Sequence, residues 1–414
     1  MHFLYNFLLN SAEKALPLST LFNDKMKLFI NGRKEVFDVL KQHISAEDKT
    51  IWFHAASLGE YEQALPVILE VKQIFPKHKI VLSFFSPSGY EVKKDSAVAD
   101  VVVYLPLDTS KNARKFLDLV HPDWVLFIKY EFWPNFLKEL KNRNIRTLLI
   151  SGAFREDQAF FKSYGKWMRK YLEAFEYFFL QNSRSKELLS RLGYDNAAVS
   201  GDTRFDRVSK QLEQENRLEF IEEFKNDELC VVAGSSWPED EALLVKYINE
   251  GPKNVKYIIA PHTLKPARIE ALKEQIEKSV MLFSEKEGKQ LNDYRVLIVD
   301  TIGLLGRIYS YADIAFVGGA VGNTGLHNIL EPATFGVPVI TGTNITRFPE
   351  AVALRTQKGL FSVSSYEPLK ELLDRLLNDE TFRRKTGKIS SEFISNNTGA
   401  TGMITRYLRE NSRL

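Results

Sequence analysis

Residues 54–62, His-Ala-Ala-Ser-Leu-Gly-Glu-Tyr-Glu, place a carboxylate where a general base would be needed. They follow an apolar run that predicts a buried strand, and they lead into the first long helix. Glu60 would then face the crevice at the carboxyl end of a parallel sheet, where ligands bind. An acid that caps the helix fits the same position, because acids are common in first turns. Ser57 and His54 suggest a nucleophile pair, but Gly-x-Ser-x-Gly is absent, so a hydrolase is not supported.

Glu131 is a second candidate, in the segment Lys-Tyr-Glu-Phe-Trp-Pro-Asn at 129–135. It also follows a predicted buried strand. A charged residue among aromatic residues is unusual unless it faces a polar pocket. The alternative is that Glu131 pairs with Lys129 or with Arg155.

Arg204 is a third candidate, in the segment Gly-Asp-Thr-Arg-Phe-Asp at 201–206. Its planar guanidinium could bind an anionic substrate through two parallel hydrogen bonds. The alternative is that Arg204 only ties Asp206 to the segment between two domains.

The segment from Ile314 to Ile340 has the features of a nucleotide site. An apolar run, 314–317, predicts a strand, and a glycine-rich loop follows it. A short helix is then predicted, with Asn328 and Glu331 in its first turn. Glycines allow a ligand to approach the backbone, and helix-start N–H groups bind phosphate. A carboxylate such as Glu331 can accept hydrogen bonds from two ribose hydroxyls. The alternative is an ordinary strand–loop–helix connection.

Three other loops of the second half each end a predicted strand and would line the same pocket: 234–237, 260–262 and 300–304. His262 lacks a His, Asp or Glu partner at metal-ligand spacing. His327 and Glu331 are four residues apart but have no third ligand. We therefore expect no metal site and no cofactor. The Walker pattern is also absent, which disfavours a phosphate-hydrolysing ATPase.

The composition indicates a globular enzyme with two domains. The chain has 414 residues, too many for one core, and 56 Lys and Arg against 53 Asp and Glu give a net charge of +3. This near balance argues against nucleic acid as the main partner. Cys230 is the only cysteine and lies in an apolar run, so no intramolecular disulfide or cysteine zinc cluster can form.

Short apolar runs alternate with amphipathic stretches, which is typical of parallel α/β sheets. A charged helical segment, 207–226, separates two similar halves, so the domain boundary is placed near 201–207 and a deep cleft is expected between the halves. The predicted strands are Thr50–Ser57, Lys79–Ser86, Val101–Leu105, Trp124–Lys129, Arg146–Ser151, Tyr177–Gln181, Leu229–Gly234, Val255–Ala260, Val296–Val299, Ile314–Val317, Pro338–Thr341 and Gly359–Val363.

The N-terminus predicts a membrane-associated helix. Residues 3–9 are strongly apolar but too few to span a bilayer, and no basic region or cleavage site of a secretory signal is present. Lys25, Lys27, Arg33 and Lys34 alternate with apolar residues, as in a helix that lies in the interface of an anionic leaflet. The alternative is a helix that only packs on the first domain.

Taken together and in this order, the motifs resemble those of the Kdo transferases of lipopolysaccharide biosynthesis, which move 3-deoxy-D-manno-octulosonic acid (Kdo) from CMP-Kdo to a lipid A precursor. The resemblance runs from about residue 1 to residue 395. The motifs that carry it are 57–60, 131–135, 150–153 with Arg155, 201–206, 260–262, 300–303 and 328–332.

This resemblance implies a GT-B fold, in which two Rossmann-like α/β domains face each other across a cleft. It also implies an inverting, metal-independent transfer, and a monotopic protein on the cytoplasmic face of the inner membrane of a Gram-negative bacterium. The implied domains are a membrane-associated helical segment (1–45), an acceptor domain (46–206), a CMP-sugar donor domain (207–395) and a C-terminal tail or helix (396–414).

The family's site residues can be carried over position by position. The general base falls on Glu60, and the groups that support the transition state fall on Glu131 and Arg204. Apart from this carry-over, the carboxylate of the sugar needs a cationic partner, for which Arg155 or Arg204 is a candidate. The CMP contacts fall on Pro261, His262, Ile302, Gly303, Leu304, Asn328, Ile329, Leu330 and Glu331.

Two positions depart from the family pattern, which usually has Arg where this chain has His262 and an acid where it has Leu304. Side-chain contacts to CMP at these positions are therefore in doubt. Two alternative functions stay open. One is another GT-B nucleotide-sugar transferase, which would need no apolar N-terminus. The other is a non-catalytic nucleotide-sugar-binding membrane protein, which would not need Glu60.

Overall fold

The computed structural model describes residues 1–16 and 24–412, and contacts divide the chain into two units. The first unit contains Met1–Arg207 and Thr398–Leu414, and the second contains Val208–Asn397. The C-terminal segment, 396–414, was predicted as a separate tail or helix. From Thr398 onward it is grouped with the first unit. Residues 17–23, the side chain of Lys25 and residues 413–414, which belong to the predicted N-terminal segment and tail, lie outside the described residues.

The two units contain the following strands and helices. The strands are β1 Lys49–Ala55, β2 His78–Phe84, β3 Val101–Tyr104, β4 Pro122–Ile128, β5 Arg146–Gly152, β6 Tyr177–Leu180, β7 Ala197–Val199, β8 Leu229–Ser236, β9 Val255–Pro261, β10 Val280–Leu282, β11 Val296–Ile298, β12 Ile314–Val317, β13 Val339–Thr341 and β14 Leu360–Ser362. The helices are α1 His2–Ala15, α2 Asp24–Lys34, α3 Val36–His43, α4 Leu58–Ile74, α5 Pro87–Lys93, α6 Ser110–Val120, α7 Pro134–Asn142, α8 Lys166–Arg169, α9 Ser183–Ser190, α10 Thr203–Ser209, α11 Glu219–Lys225, α12 Pro238–Glu250, α13 Pro266–Glu274, α14 Leu305–Ile308, α15 Leu330–Thr334, α16 Pro349–Thr356, α17 Tyr366–Asn378, α18 Glu380–Ser395 and α19 Ala400–Asn411.

Each unit is built on one parallel sheet, as predicted, but each sheet has seven strands where six were predicted. The strand order is β3-β2-β1-β4-β5-β6-β7 in the first unit and β10-β11-β9-β8-β12-β13-β14 in the second. The order reverses between β1 and β4 in the first sheet and between β8 and β12 in the second. At such a reversal, the loops that leave the carboxyl ends of the two strands part to opposite faces and open a ligand crevice.

Both faces of each sheet are covered, which explains why the strands are continuous apolar runs rather than alternating ones. Along β1, Trp52 packs in the core on one face, while Ile51 and Phe53 pack in the core on the other. In β8, Val231 and Cys230 likewise face opposite cores. Burial raises the pKa of the Cys230 thiol to about 12, so this cysteine is an inert core residue.

Two strands and one helical segment differ from the sequence-based expectation. The strands β7 and β10 were not predicted, because each is short and contains one β-branched residue and no aromatic residue. The charged segment 207–226 is helical but not continuous, since α10 ends at Ser209 and α11 begins at Glu219.

The C-terminal helix α19 packs on α4 of the first unit. Asp206 accepts hydrogen bonds from the backbone N–H groups of Gly399 and Thr401, at 2.6 and 2.8 Å. The Thr405 hydroxyl donates to Glu70 on α4, at 3.0 Å. Asp206 therefore anchors the C-terminal segment, whereas the sequence had considered it as a partner of Arg204.

Candidate active site

Glu60 lies in the first turn of α4, just beyond the carboxyl end of β1, and is only 6% exposed. The Ser57 hydroxyl donates a hydrogen bond to Glu60 Oε2. Ser57 is the N-cap residue, yet its side chain makes no capping bond to the helix backbone. Serine at an N-cap usually accepts from the second or third backbone N–H of the helix. Here its hydroxyl instead orients the carboxylate.

Glu131 follows β4, the strand across the reversal from β1, and is 8% exposed. Its Oε2 accepts a hydrogen bond from Trp133 Nε1 at 3.0 Å and lies 3.4 Å from His54 Nε2. Neither alternative partner from the sequence pairs with it in the structure. Lys129 lies 5.0 Å from the Tyr130 ring, and Arg155 is a surface residue paired with Asp157 at 3.4 Å.

Arg204 is held by Asp202 rather than by Asp206. Its Nε and Nη2 lie 3.0 and 2.8 Å from Asp202 Oδ2, and Gln63 also donates to this carboxylate. Burial of Asp202 opposes ionisation, but the Arg204 charge and the hydrogen bonds to the carboxylate outweigh it and lower the Asp202 pKa. Arg204 is thus oriented by a buried anion, with about a quarter of its side chain exposed (26%).

Strained backbone occurs at three strand ends, and one of them, the end of β4, leads to Glu131. Lys129 after β4, Ser151 in β5 and Ser235 in β8 have φ angles of 68°, 48° and 52°. Residues other than glycine adopt this left-handed conformation at a cost of about 1–3 kcal/mol, and such strain concentrates at functional sites. Their positions match the sheet edges at which ligands are expected.

The loop after β12 in the second unit requires its glycines. Gly319 has a φ of 96°, and a Cβ there would lie 2.1 Å from the Gly325 carbonyl oxygen. Asp240 accepts hydrogen bonds from the backbone N–H groups of Gly319 and Trp237, at 2.8 and 2.9 Å. This buried carboxylate therefore joins the loops that follow β8 and β12.

The predicted helix of the nucleotide segment begins two residues later than expected. Helix α15 starts at Leu330, so Asn328 precedes it and only Glu331 lies in its first turn. Asn328 Oδ1 accepts from the Leu330 N–H at 3.1 Å, and its Nδ2 donates to Glu331 Oε1 at 3.2 Å. The side chains of Ile329 and Leu330 are buried in the core, so only their backbone could contact a ligand.

His262 lies in an aromatic stack that the sequence did not predict. Its ring is 4.5 Å from the Trp237 ring and 4.6 Å from the His327 ring. Trp237 and His327 fall in segments that were already singled out, but their contact joins loops 90 residues apart. Partial burial lowers the pKa of His262, and burial together with the nearby His262 lowers that of His327 to about 4.

The remaining predicted donor contacts differ widely in exposure. Pro261 is buried at the end of β9, and Ile302 is 86% exposed in the loop between β11 and α14. Gly303 in that loop has a φ of 89° and open space around it, whereas Leu304 packs against the core. The loop can thus offer backbone groups and Ile302 to a ligand, but no carboxylate at position 304.

The N-terminal helix α1 both packs and exposes an apolar face. Tyr5 donates to Asp108 at 2.7 Å, and Asn135 donates to Asn6 at 2.7 Å, so one face is bonded to the first unit. Phe3, Leu4, Phe7 and Leu8 on the other face are 83%, 48%, 59% and 57% exposed.

Arg33 does not join the predicted surface cluster of cations. Its guanidinium turns inward and donates to the carbonyls of Leu105, Phe29 and Phe85. Burial lowers its pKa to about 9. Its five donors need acceptors, and the backbone carbonyls of the core edge supply them.

The described ranges, 1–16 and 24–412, contain neither a membrane-spanning helix nor a cluster of metal ligands. Within them, no helix is long and apolar enough to cross a bilayer. Within them also, no three His, Cys, Asp or Glu side chains are grouped so that they could hold a metal ion.

Comparisons with known proteins indicate both family and fold. A family model described as 3-deoxy-D-manno-octulosonic-acid transferase (kdotransferase) matches residues 31–207. The 3-deoxy-D-manno-octulosonic acid transferase of Chlamydia muridarum is 30% identical over 389 residues, which cover 89% of this chain and 87% of that protein. The transferase of the same name from Haemophilus influenzae is 29% identical over 384 residues, which cover 87% and 86%.

A solved structure supports the fold. The UDP-GlcNAc 2-epimerase from Neisseria meningitidis, bound to UDP-GlcNAc, aligns with a TM-score of 0.62 at 16% identity, covering 88% of this chain and 100% of that one. Together with the two parallel α/β sheets, this similarity confirms the predicted fold class, GT-B with two Rossmann-like domains.

Proposed function

This chain belongs to the 3-deoxy-D-manno-octulosonic acid transferase family, a family of glycosyltransferases, and we propose that it transfers Kdo from CMP-Kdo to a lipid A precursor in lipopolysaccharide biosynthesis. One observation carries the proposed chemistry. Two nearly buried carboxylates, Glu60 and Glu131, follow the strands on either side of the reversal in the first sheet. Carboxylates at that crevice can take the proton of an acceptor hydroxyl and so activate it for transfer.

In the proposed mechanism, Glu60 is the general base of an inverting transfer. Its carboxylate takes the proton of the acceptor hydroxyl while that oxygen bonds to the anomeric carbon of Kdo. The bond from this carbon to the CMP phosphate breaks on the opposite face, and CMP leaves with the electron pair. The Ser57 hydroxyl orients Glu60, so its basic oxygen is positioned before the acceptor arrives. Positioned bases contribute about 10²–10⁴-fold in rate.

The donor is proposed to bind at the β8/β12 edge of the second unit. The phosphate is assigned to the glycine-rich loop that follows β12, and Glu331 is assigned to the ribose hydroxyls. Backbone groups at 261–262, 302–304 and 328–330 complete the assigned contacts. Backbone N–H groups of the loop and helix starts would carry the phosphate charge, which makes a metal-independent departure of CMP reasonable.

Arg204 and Arg155 are the proposed partners of the Kdo carboxylate. Arg204 is oriented by Asp202, whereas Arg155 is exposed and paired only with nearby Asp157. A pre-oriented guanidinium loses less freedom when it binds a carboxylate, which favours Arg204 for this role. Glu131 is assigned to support of the transition state.

We also propose that the protein resides on the cytoplasmic face of the inner membrane of a Gram-negative bacterium. The support is the exposed apolar face of α1, formed by Phe3, Leu4, Phe7 and Leu8. An apolar helix face of this size favours shallow, reversible insertion at the headgroup level. Membrane residence would confine the search for a lipid acceptor to two dimensions.

The direct test is incubation of the purified protein with CMP-Kdo and a lipid A precursor, followed by mass analysis of the lipid. We expect a product heavier by one or more Kdo residues, with release of CMP. Transfer from a UDP-sugar but not from CMP-Kdo would favour another GT-B reaction. Binding of CMP-Kdo without any transfer would favour a non-catalytic protein.

A further inference from the structure

His54 lies beneath the candidate active site, and its imidazole is fully buried in β1. Its Nδ1 lies 2.8 Å from the Ser83 hydroxyl oxygen, which also accepts a hydrogen bond from Trp52 Nε1 at 2.7 Å. Its Nε2 accepts a hydrogen bond from Trp133 Nε1 at 3.1 Å. Both ring nitrogens are thus engaged, which limits the imidazole to one orientation.

These contacts fix which ring nitrogen of the His54 imidazole carries the proton. An indole N–H can only donate, so His54 Nε2 must be unprotonated and must present its lone pair to Trp133. The proton of a neutral ring then lies on Nδ1 and is donated to Ser83, whose own proton is directed to the Phe53 carbonyl at 3.5 Å. Nε2 is left as an acceptor beneath the catalytic pocket.

The Trp133 N–H is shared between two acceptors. It points to His54 Nε2 and to Glu131 Oε2, at 3.1 and 3.0 Å, while these two atoms are themselves 3.4 Å apart. One donor therefore serves two acceptors. The Trp133 indole thereby fixes the positions of the imidazole nitrogen and the carboxylate oxygen relative to each other.

We propose that His54 is a positioning residue for Glu131: its neutral imidazole accepts from the Trp133 indole N–H, and the indole presents the same N–H to the Glu131 carboxylate. This inference rests on the proposed role of Glu131 in transfer.

Among the side chains around His54, Glu131 is the charged group that faces the imidazole. Its ring neighbours are Trp52, Phe127 and Trp133, none of which titrates. Ser83 on β2 is neutral, and Glu131 on the loop after β4 is the acid that faces the ring. A cation, Arg33 on α2, lies behind Phe85, with its guanidinium 4.7 Å from that ring, and Phe85 stacks on Trp133.

The decisive structural test is nuclear magnetic resonance of the His54 ring nitrogens and of the Trp133 indole N–H, in wild type and in His54→Asn. In wild type we expect the ring proton on Nδ1 and an unprotonated Nε2 that accepts from Trp133. In His54→Asn, which has no acceptor at the position of Nε2, the Trp133 indole N–H signal should shift. A ring proton on Nε2, or an unchanged indole signal in His54→Asn, would overturn the proposal, whether or not the protein transfers Kdo.

A kinetic comparison tests the consequence for catalysis. The amide of Gln reaches the position of the imidazole Nε2, whereas that of Asn reaches only Nδ1. We expect His54→Asn to lower kcat by about 100-fold with little change in KM, since misplacing a catalytic group costs about this much. His54→Gln should recover part of the loss. The control is His43→Gln, at an exposed histidine of α3, which should behave as wild type.

The two variants also separate a positioning role from a general loss of structure. Equal losses in His54→Gln and His54→Asn, with a parallel loss of thermal stability, would contradict the proposal and indicate a packing role. If no variant and no wild type shows transfer, the proposed function fails. The resonance experiment still decides whether His54 accepts the Trp133 indole N–H.

Discussion

The indole N–H of Trp237 donates to Nε2 of His327 at 3.1 Å and thereby joins the loops after β8 and β12. This bond needs a neutral His327, and burial together with the adjacent His262 lowers the His327 pKa to about 4. The ordinary value in an unfolded chain is about 6.5. Between these two values the unfolded state binds the proton more readily than the folded state does.

The stability of the second unit should therefore fall as the pH is lowered. The contribution of His327 is fully present above about pH 6.5 and is lost as the pH falls toward about 4. We expect a loss on the order of 1–2 kcal/mol after allowance for partial exposure. Urea unfolding at several pH values, and the Trp237 indole N–H signal, would measure it. A His327→Gln variant should show a flatter pH dependence, and an equally steep one would contradict this assignment.

Glu60→Gln should nearly abolish transfer while CMP binding persists. Gln can still accept from Ser57 but cannot take a proton, so a rate loss of about 10²–10⁴-fold is expected. Transfer assays and calorimetry with CMP would measure the two properties. Glu70→Gln, on the same helix, is the matched control and should retain activity. Near-normal turnover of Glu60→Gln would remove this residue from the mechanism.

Glu331→Ala should mainly weaken donor binding. If its carboxylate accepts from the ribose hydroxyls, its removal should cost about 1.5–3 kcal/mol, or roughly 10- to 150-fold in affinity. Calorimetry with CMP would measure this effect. Glu371→Ala, an exposed acid on α17, is the control. A variant with unchanged CMP affinity and weaker acceptor binding would show that the nucleotide was assigned to the wrong place.

Replacement of Phe3 and Phe7 by Ser should reduce membrane binding without disturbing the first unit. Both side chains are exposed, and each buried Phe is worth about 1.5–3 kcal/mol. Tyr5→Phe keeps the apolar face but loses the bond to Asp108, so this control should still bind. High salt should release part of the wild type, since lysines near anionic headgroups contribute about 1 kcal/mol each. Identical co-sedimentation of both variants with vesicles would favour a simple packing helix.

Transfer should survive treatment with a chelator. The proposed donor site meets the phosphate charge with backbone N–H groups, so removal of divalent cations should change the rate by less than about twofold. The measurement is product formation after dialysis against EDTA, with and without added magnesium. Loss of transfer that magnesium restores would contradict the proposed metal-independent departure of CMP.

Much of the fold could be predicted from the sequence. Parallel strands buried on both faces must be apolar along their whole length, so β1, β4, β8 and β12 were visible as short apolar runs. The ends of these runs located Glu60, Glu131 and the glycine loop. The order of the motifs along the chain was sufficient to identify the family. The short strands β7 and β10 were missed because each has one β-branched residue and no aromatic residue, so their sequence shows no clear strand pattern.

Only the tertiary structure decided which side chains meet. His54 and Trp133 are 79 residues apart, and Gln63 and Asp202 are 139 apart, yet each pair is hydrogen-bonded. Local sequence carries no record of such pairs, because the sheet order brings the ends of distant strands together. The same reason explains Arg33, which looked like a surface cation beside Lys34. In the structure its guanidinium is largely buried and donates to the backbone carbonyls of Leu105 and Phe85.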